Sequence, residues 1–524
     1  MILGNPAPAG LAPPSRQNRV TLDDLFRRAA ARRPGAIALA DAPNRQAFTD
    51  GEPLRLSYGE ADRMVSAIAG RLRRMGLATD AIVGIQMPNI VEHVLTLLGV
   101  LRAGLIAAPL PLLWRRADAV TALARVGAKA LIACRRVGDF EHCAFAAQVA
   151  AEVFSIRYVC GFGGTMPDGV VPFDDLFAAV KLDSVPPLER GGNPAAHLAV
   201  TTFEVGEDGP VPVARRHLDL LAGGLCVLLE SRLEQDAGVL STIAPASFAG
   251  ICLTLVPWLL TGGTLALHHP FDADIFARQR RDQRTSALVL PAAVAFRLAE
   301  TGLFAREGPT TVLAAWHAPE RLSAGAEWPE RDAVMIDVPI FGEAGLVAAR
   351  RGVGGRPAAI PFGAVAAPRD SADSVPVVEL TATETNTVAL RGPMVPRHAF
   401  PPGIERSDQP HFEISRDGFV DSGYPCRVDM LTKSVVVTGP PSGIVNVGGY
   451  RFPLCTLLQA IGRIDSGAAL AALPDPLTGQ RLVGSAAELD AMAAALGALG
   501  VNPLVTAAFG ERGEQVLRQA VAAG

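Results

Sequence analysis

The segment from Thr201 to His217 has the composition of a phosphate-binding loop without the charges that such a loop needs. It reads TTFEVGEDGPVPVARRH, with loop-forming residues at Gly206, Gly209 and Pro210. Loops that hold a polyphosphate use backbone N–H groups and a nearby cation. This segment instead carries three carboxylates, at Glu204, Glu207 and Asp208. Since these carboxylates would repel a polyphosphate, the segment predicts a phosphate loop with little affinity for one.

Few other residues have the types and spacing needed for chemistry. Arg215 and Arg216 follow the loop and could contact an anion at a helix start, although we expect them to face solvent. His268 and His269 are adjacent, and neighbouring strand residues point to opposite faces, so they cannot share a metal ion. The seven cysteines form no CxxC pair, which argues against a disulfide framework or a zinc site and fits a reducing cytoplasm.

The composition limits the class of protein. The chain has 524 residues, of which 49% are hydrophobic and 19% charged, and its formal net charge is −4. These values predict a soluble globular protein with more than one domain. Because no basic stripe with interleaved aromatic residues occurs, we expect no nucleic-acid partner. Only three of the 48 basic residues are lysines, and the last is Lys433, so no lysine is available in residues 434–524.

Two segments invite a targeting or membrane interpretation. The N-terminal residues are rich in proline, alanine and glycine and lack the basic start and apolar run of a signal peptide, so we expect a mobile tail. Residues 237–271 contain no charged side chain, which could indicate a membrane helix. Pro245 and Pro257 interrupt this stretch, so it predicts a buried strand–turn–helix unit and no membrane span.

Alternating helix and strand patterns would position the loop. Ser57 and Glu60 form an S-x-x-E capping box, and the apolar period behind it predicts a helix that Gly76 closes. Further strands are predicted at 81–87, 105–108 and 130–133, and further helices at about 90–102 and 117–126. This alternation predicts right-handed crossovers and a parallel sheet covered on both faces. An alanine-rich helix is predicted at 487–499.

Several separated motifs resemble those of the AMP-forming acyl-CoA synthetases, in the adenylate-forming ligase superfamily. They are LSYGEADR at 56–63, GIQMPN at 84–89, GVLRAGLIAAPL at 99–110, LLTGGTLAL at 259–267, GVGGRP at 352–357 and GGYRFP at 448–453. Their order along the chain matches that family, although the last motif is one residue shorter than the family's GGxxxxP.

The resemblance implies an α/β fold of adenylate-forming ligase architecture. A flexible tail at 1–20 would precede a large AMP-binding-like domain of parallel βαβ-type subdomains at 21–438. A small α+β C-terminal domain would follow at 439–524, after a linker rich in proline and glycine at about 437–443.

The family's reaction attaches AMP to a carboxylate, releases pyrophosphate and transfers the acyl group to CoA. Its loop pattern, TSGTTGxPKGVxxTH, is matched at Pro210, Val213 and His217, whereas Val211 stands at the lysine position. Its YGxTE motif reads FGEAG at 341–345. By resemblance, Phe341 could stack on adenine, Gly342 is kept, and Glu343 is either a substitute metal ligand or an exposed loop carboxylate.

The remaining motifs also differ from those of the family, at positions where the family has a charged residue or a glycine that lets a ligand come close to the backbone. The family's GGAP pocket wall reads Trp316, His317, Ala318 and Pro319, so we expect Trp316 to intrude on the nucleotide or acyl pocket. The ribose-binding TGD reads Ser422, Gly423 and Tyr424, and Asp421 would face away. In GRxKDxIKxGG the charged positions are Pro440, Ser442 and Gly443, while Gly448 and Gly449 remain on the CoA-side small domain. The C-terminal lysine has no candidate, and the nearest cations are Arg512 and Arg518.

Losing one hydrogen-bond donor or charge that stabilises the transition state commonly lowers the reaction rate about 10²–10³-fold. The five departures from the family's motifs therefore predict that ordinary adenylation is lost or strongly impaired. The sequence then predicts a degenerate family member that binds a small acyl- or nucleotide-like ligand or a protein partner, or a subunit that modulates an active relative. The alternative is an active AMP-forming carboxylate or fatty acid–CoA ligase. In that alternative Glu343 and nearby arginines replace the lost groups, and ATP, Mg²⁺ and CoA are the cofactors; otherwise no cofactor is expected.

Overall fold

A computed structural model describes residues 19–178, 185–304, 310–322, 327–330, 332–352, 354–369 and 374–510. Most of the predicted tail, together with Arg512 and Arg518, lies outside these described residues.

The described α-helices occur in both halves of the chain. They are α1 (Leu22–Arg32), α2 (Tyr58–Arg74), α3 (Val91–Arg102), α4 (Arg116–Val126), α5 (His142–Glu152), α6 (Asp175–Ala178), α7 (His217–Ser231), α8 (Phe248–Gly250), α9 (Val256–Thr261), α10 (Ala273–Gln283), α11 (Ala292–Glu300), α12 (Leu454–Ile464), α13 (Leu489–Ala498) and α14 (Pro503–Thr506). A π-helical turn, Ile251–Leu255, joins α8 to α9.

The strands group into four sheets. The first strands are β1 (Ile37–Ala40), β2 (Arg55–Ser57), β3 (Ile82–Gln86), β4 (Ile106–Pro109), β5 (Ala130–Cys134), β6 (Tyr158–Phe162), β7 (Val170–Pro172), β8 (Leu198–Gly206) and β9 (Gly209–Arg216). Next come β10 (Val239–Ser241), β11 (Leu265–Leu267), β12 (Ala287–Pro291), β13 (Thr310–Trp316), β14 (Ala333–Phe341), β15 (Gly345–Leu346) and β16 (Ala349–Arg350). The last are β17 (Ile360–Pro361), β18 (Gly363–Ala367), β19 (Val375–Ala382), β20 (Thr387–Arg391), β21 (Val420–Asp429), β22 (Ser434–Val437), β23 (Ile444–Val447), β24 (Tyr450–Pro453), β25 (Ala469–Asp475) and β26 (Gly479–Ser485).

The first sheet confirms the predicted alternation of strands and helices. Its order is β7-β6-β5-β3-β4-β8-β9, and every pair except β8 with β9 is parallel. Strands β3, β4 and β5 and helices α3 and α4 agree with the predicted ranges to within one residue at each end. Helix α2 begins as expected, since the Ser57 side chain accepts the N–H of Glu60 and the Glu60 carboxylate accepts the N–H of Ser57.

The second sheet has nine strands and is also mainly parallel. Its order is β15-β14-β13-β12-β10-β11-β1-β2, with β16 on β14. The charge-free stretch 237–271 supplies β10, the helical segment α8 to α9 and β11, which confirms the predicted strand–turn–helix unit. Within the described residues, no helix combines the length and the apolar character needed to cross a membrane.

Two antiparallel sheets complete the molecule. Strands β17 to β22 form a six-stranded sheet, and β24-β23-β26-β25 form a four-stranded sheet. The four-stranded sheet packs with α12, α13 and α14 around its own apolar core, which includes Phe452, Ile461 and Leu496. We call this unit the small domain. The proposed division between residues 438 and 439 falls between β22 and β23, and the predicted helix at 487–499 is α13.

Candidate functional site

A cavity of about 300 Å³ lies where the two parallel sheets meet the small domain. Residues 87–89 follow β3, the segment 242–247 follows β10, and His317 and Gly342 follow β13 and β14. Residues 448–451 of the small domain close the cavity from the opposite side. Ligand sites in open parallel sheets lie beyond the carboxyl ends of the strands, so this mostly apolar cavity is the candidate site.

The predicted phosphate loop is a tight β-hairpin. Strands β8 and β9 pair in antiparallel register up to Gly206 opposite Gly209, which leaves only Glu207 and Asp208 in the turn. Gly209 has a φ of +84°, a conformation that glycine adopts at little cost. Because the chain reverses so abruptly, it forms no open cradle for a phosphate. The predicted nucleotide-binding residues Gly206, Gly209 and Pro210 do not line the cavity.

Glu204 extends from this hairpin and contacts two groups that could otherwise bind an anion. Its Oε2 accepts the backbone N–H of Glu343 at 2.6 Å. Its Oε1 is in an ion pair with Nη1 of Arg451 in the small domain, and the two side chains are only 18% and 12% exposed. Any incoming anion must therefore displace a carboxylate that belongs to the protein.

Glu343 is not an exposed loop carboxylate, so that interpretation from the sequence needs correction. It is buried, with Oε2 at 3.0 Å from Nη1 of Arg215 and 2.5 Å from Oγ1 of Thr202. Its Oε1 accepts the backbone N–H of Phe248 at 3.2 Å. Each carboxylate oxygen thus has a partner within the protein.

The expectation that Arg215 faces solvent is also wrong. Its side chain is 1% exposed, and its guanidinium lies 4.0 Å from the ring centre of Phe248. Arg216, the next residue, is partly exposed and pairs with Asp219 at the start of α7. The physical reason is strand alternation, because consecutive residues at the end of β9 point to opposite faces.

Residues around the FGEAG motif are divided between the cavity and the core. Gly342 lines the cavity, with a φ of +56°, and a Cβ there would clash with the Glu204 carboxylate. Phe341 is fully buried and does not line the cavity. Its ring meets the ring of Tyr424 nearly at right angles, with 5.8 Å between centres. Phe341 therefore packs behind the site and is not placed to stack on a bound adenine.

Strand β13 directs His317 into the cavity and Trp316 away from it. Trp316 Nε1 donates a hydrogen bond to Oδ1 of Asp337 at 2.8 Å, and Arg351 holds the same carboxylate through Nε and Nη2. The prediction that Trp316 intrudes on the pocket is wrong, because alternation along the strand sends its ring into the core. Of the four predicted wall residues only His317 lines the cavity; Ala318 and Pro319, like Trp316, do not.

The turn between β23 and β24 forms the roof of the cavity. Gly448 and Gly449 line it and have φ values of +59° and +92°. A Cβ on Gly449 would lie only 3.3 Å from the His317 ring. Asn446 Nδ2 donates to the carbonyl oxygen of His317 at 2.5 Å, and the hydroxyl oxygen of Tyr450 accepts the N–H of Leu113 at 3.3 Å. These contacts dock the small domain directly onto the site.

Sequence reasoning missed the roles of Tyr450, Arg451 and Tyr424. Tyr450 and Arg451 follow the glycine pair directly, and that position was the only available signal. Tyr424 stands where the family resemblance expects a ribose-binding carboxylate; it is 2% exposed, and its hydroxyl donates to the carbonyl oxygen of His317 at 3.4 Å. Asp421 is exposed and accepts a hydrogen bond from Thr387, away from the cavity.

Burial sets the charge states at the site. It lowers the pKa of His317 and of His269 to about 4 in each case, so both lining imidazoles are neutral at pH 7. It also lowers the pKa of Arg451 to about 10, which leaves that side chain charged. Burial raises the pKa of Tyr450 to about 12, so its hydroxyl keeps its proton.

The donor set does not fit Mg²⁺ or a polyphosphate. Mg²⁺ prefers oxygen ligands in octahedral geometry, yet Glu204 and Glu343 are each paired with an arginine. The described residues contain no group of three or more His, Cys, Asp or Glu side chains arranged to hold a metal ion. Among the described lining residues Arg451 is the one arginine or lysine, and Glu204 already neutralises it.

Comparisons with known sequences find partial matches to an AMP-binding enzyme family and to acid-activating ligases. The model of the AMP-binding enzyme family matches residues 26–195. A 2-hydroxy-7-methoxy-5-methyl-1-naphthoate–CoA ligase of Streptomyces carzinostaticus is 29% identical over 49% of this chain and 48% of its own length. A salicyl-AMP ligase / salicyl-S-ArCP synthetase of Mycobacterium tuberculosis is 27% identical over 52% of this chain and 47% of its own length. The matched part of the chain thus spans about half the length of these relatives.

Solved structures show the same fold over nearly the whole chain. An amide bond synthetase from Marinactinospora thermotolerans superposes with a TM-score of 0.68 at 18% identity, covering 93% of this chain and 94% of its own. MbtA of Mycobacterium smegmatis gives a TM-score of 0.65 at 20% identity, covering 93% and 90%. At these identities the likeness establishes the architecture.

Proposed function

We propose that this chain, which is similar to members of the adenylate-forming superfamily, keeps their architecture as a ligand- or partner-binding protein in which ATP-dependent adenylation is lost or strongly impaired. The ligand would bind in the cavity between the two parallel sheets and the small domain. The fold itself is that of the ligases, and the proposed loss lies in the chemistry at the site.

The observation that carries this proposal is the position of the Glu204 carboxylate. It accepts the N–H of Glu343 and pairs with Arg451, so one carboxylate of the protein occupies both a backbone donor and the lining cation. Adenylation requires donors and charges aimed at the phosphate oxygens of the transition state. A site whose donors are already satisfied supplies little of that stabilisation.

Arg215 cannot serve as the substitute cation. It is held by the carboxylate and carbonyl oxygens of Glu343 and is fully desolvated. Breaking a buried charge pair by removing one partner costs about 3–5 kcal/mol. If Arg215 moved to bind a phosphate, the Glu343 carboxylate would remain buried without its cation. If Glu343 moved to bind a metal ion, Arg215 would remain buried without its carboxylate.

The test is ATP–pyrophosphate exchange with the purified full chain. Salicylate and 1-naphthoate are suitable acids, because salicyl and substituted 1-naphthoate groups appear in the names of two relatives. We expect no exchange above the rate of a sample without protein at millimolar ATP–Mg²⁺. A ligase with a recognised acid should be measured in parallel, so that a silent assay is not mistaken for a negative result.

The competing function is an active AMP-forming acid–CoA ligase, and the ligase activities named for the relatives favour it. Robust, acid-dependent exchange would support that function and contradict the proposal. A third form of the proposal, a subunit that modulates an active relative, predicts co-purification of that relative from the source cells.

A further inference from the structure

Among the described residues, every formal charge that lines the cavity is paired within the protein. The charged lining residues are Glu204, Glu343 and Arg451. Glu204 pairs with Arg451, and Glu343 pairs with Arg215 behind the wall. Those four charges sum to zero. A ligand carboxylate or phosphate placed here would lose its hydration without gaining an unpaired cation, which is a costly exchange.

The rest of the lining is suited to a flat apolar group. Trp114 and Phe203 stand on one side with 5.7 Å between their ring centres, and Tyr424 and Tyr450 line other parts of the wall. Gly448 and Gly449 let the backbone of the roof approach closely, since neither has a side chain to fill the space. Aromatic rings and exposed glycine backbone together favour a planar ligand.

Resting on the proposed function, we propose that the cavity binds an uncharged planar aromatic molecule and selects against the corresponding carboxylate. The ligand would touch both domains, with its faces against the aromatic walls and its polar edge towards neutral hydrogen-bonding groups such as Asn446 and Ser247, which both line the cavity. The volume of about 300 Å³ lies at the lower end of the range for small-molecule sites, about 300–1,000 Å³, and suits one or two fused rings.

The most direct test compares two probes of almost the same shape, 2-naphthamide and 2-naphthoate. Their affinities for the full chain would be measured by calorimetry at pH 7.5 without ATP. We expect the amide to bind at least about tenfold more tightly than the carboxylate. Equal or tighter binding of the carboxylate would overturn the proposal, and so would failure of both probes to bind.

A charge variant tests the reason for this preference. Glu204→Gln keeps an acceptor for the N–H of Glu343 but leaves Arg451 unpaired. We expect 2-naphthoate to bind at least about tenfold more tightly to this variant than to the wild type, while 2-naphthamide changes less than about threefold. An unchanged affinity for the carboxylate would show that the Glu204 charge does not set the preference.

The double variant Glu204→Gln, Arg451→Gln is the matched control, because it removes both charges and keeps the cavity neutral. It should prefer the amide as the wild type does, and a preference for the carboxylate would contradict the account. It also keeps the test valid if Glu204→Gln alone fails to fold.

The location of binding needs a separate variant. Ala246→Phe places a ring in the cavity lining and should abolish binding of 2-naphthamide. Leu431→Phe, at a turn where Leu431 is 97% exposed, should leave binding unchanged. Loss of binding in both variants, or in neither, would show that the probe binds elsewhere or nonspecifically.

These outcomes are distinguishable from failure of the proposed function. ATP–pyrophosphate exchange would contradict the loss of adenylation, whereas the preference between amide and carboxylate is measured without ATP. Absence of exchange together with tighter binding of the carboxylate would overturn only the inference about the ligand.

Discussion

Glu204 and Arg451 belong to different domains, yet their carboxylate and guanidinium are in direct contact at the edge of the cavity. The same hairpin makes a second contact with the small domain, where Thr456 Oγ1 donates to the carbonyl oxygen of Glu207 at 3.1 Å. A segment that resembles a phosphate loop therefore serves here as a docking element for the small domain.

The first prediction is that Glu204 and Arg451 are energetically coupled across the domain boundary. Hydrogen exchange of the amides in β24 would be compared among the wild type, Glu204→Gln, Arg451→Gln and the double variant. Each single variant should lower the protection of the β24 amides against exchange. The double-mutant cycle should give a coupling free energy of about 0.5–3 kcal/mol between the two side chains, as for residues in contact.

The exposed pair of Arg297 and Glu300, with side chains 66% and 61% exposed, provides a control for this cycle. Glu300→Gln should leave protection of β24 unchanged, because exposed pairs contribute little. Strict additivity of the Glu204 and Arg451 effects would show that their contact does not hold the domains together.

The second prediction concerns the buried pair of Arg215 and Glu343. Arg215→Met leaves the Glu343 carboxylate buried without its cation and should destabilise the protein by about 3–5 kcal/mol. Adding Glu343→Gln should recover much of this loss. Urea unfolding measures both changes, with Arg216→Met as the neighbouring control, because Arg216 is partly exposed. Similar small losses for the two arginine variants would contradict the burial of Arg215.

The third prediction is that Trp316 contributes to stability but not to ligand binding, because it does not line the cavity. Trp316→Phe removes the hydrogen bond to Asp337 and should cost about 1–3 kcal/mol of stability, since a buried acceptor loses a partner. Affinity for 2-naphthamide should stay within about twofold of the wild type, because the indole does not line the cavity. A tenfold change in that affinity would place the ring in the pocket after all.

The fourth prediction follows from the lowered pKa of His317, which is about 4 against an ordinary value of 6.5. Between these pH values the unfolded chain binds a proton at His317 that the folded protein excludes. The free energy of unfolding therefore keeps its full value, as far as His317 is concerned, above pH 6.5 and decreases as the pH falls towards 4. The free energy of unfolding of the wild type should fall more steeply than that of His317→Gln, by up to about 1.4 kcal/mol per pH unit. Parallel pH profiles from urea unfolding would contradict this.

The parallel sheet was predictable because its signals are local. The capping box of Ser57 and Glu60 and the apolar period behind it place α2, and the alternation that follows places β3 to β5 to within one residue at each end. In such a stretch propensity, capping and periodicity favour the same structure.

The site was less predictable because its geometry depends on single-residue registers and on domain docking. Trp316 and His317 are neighbours, and strand alternation alone decides which of them reaches the cavity. Arg451 acquires its partner only when the small domain lies against a hairpin that is distant in sequence. Glu343 looked like a loop carboxylate because nothing near it in the sequence reveals Arg215 as its partner.

If the protein's own carboxylates occupy the groups that would bind the phosphates of ATP, ATP–Mg²⁺ should not bind. Calorimetric titration of the wild-type chain with ATP–Mg²⁺ tests this most directly. We expect no measurable binding at millimolar nucleotide. Saturable binding with a micromolar Kd would contradict it.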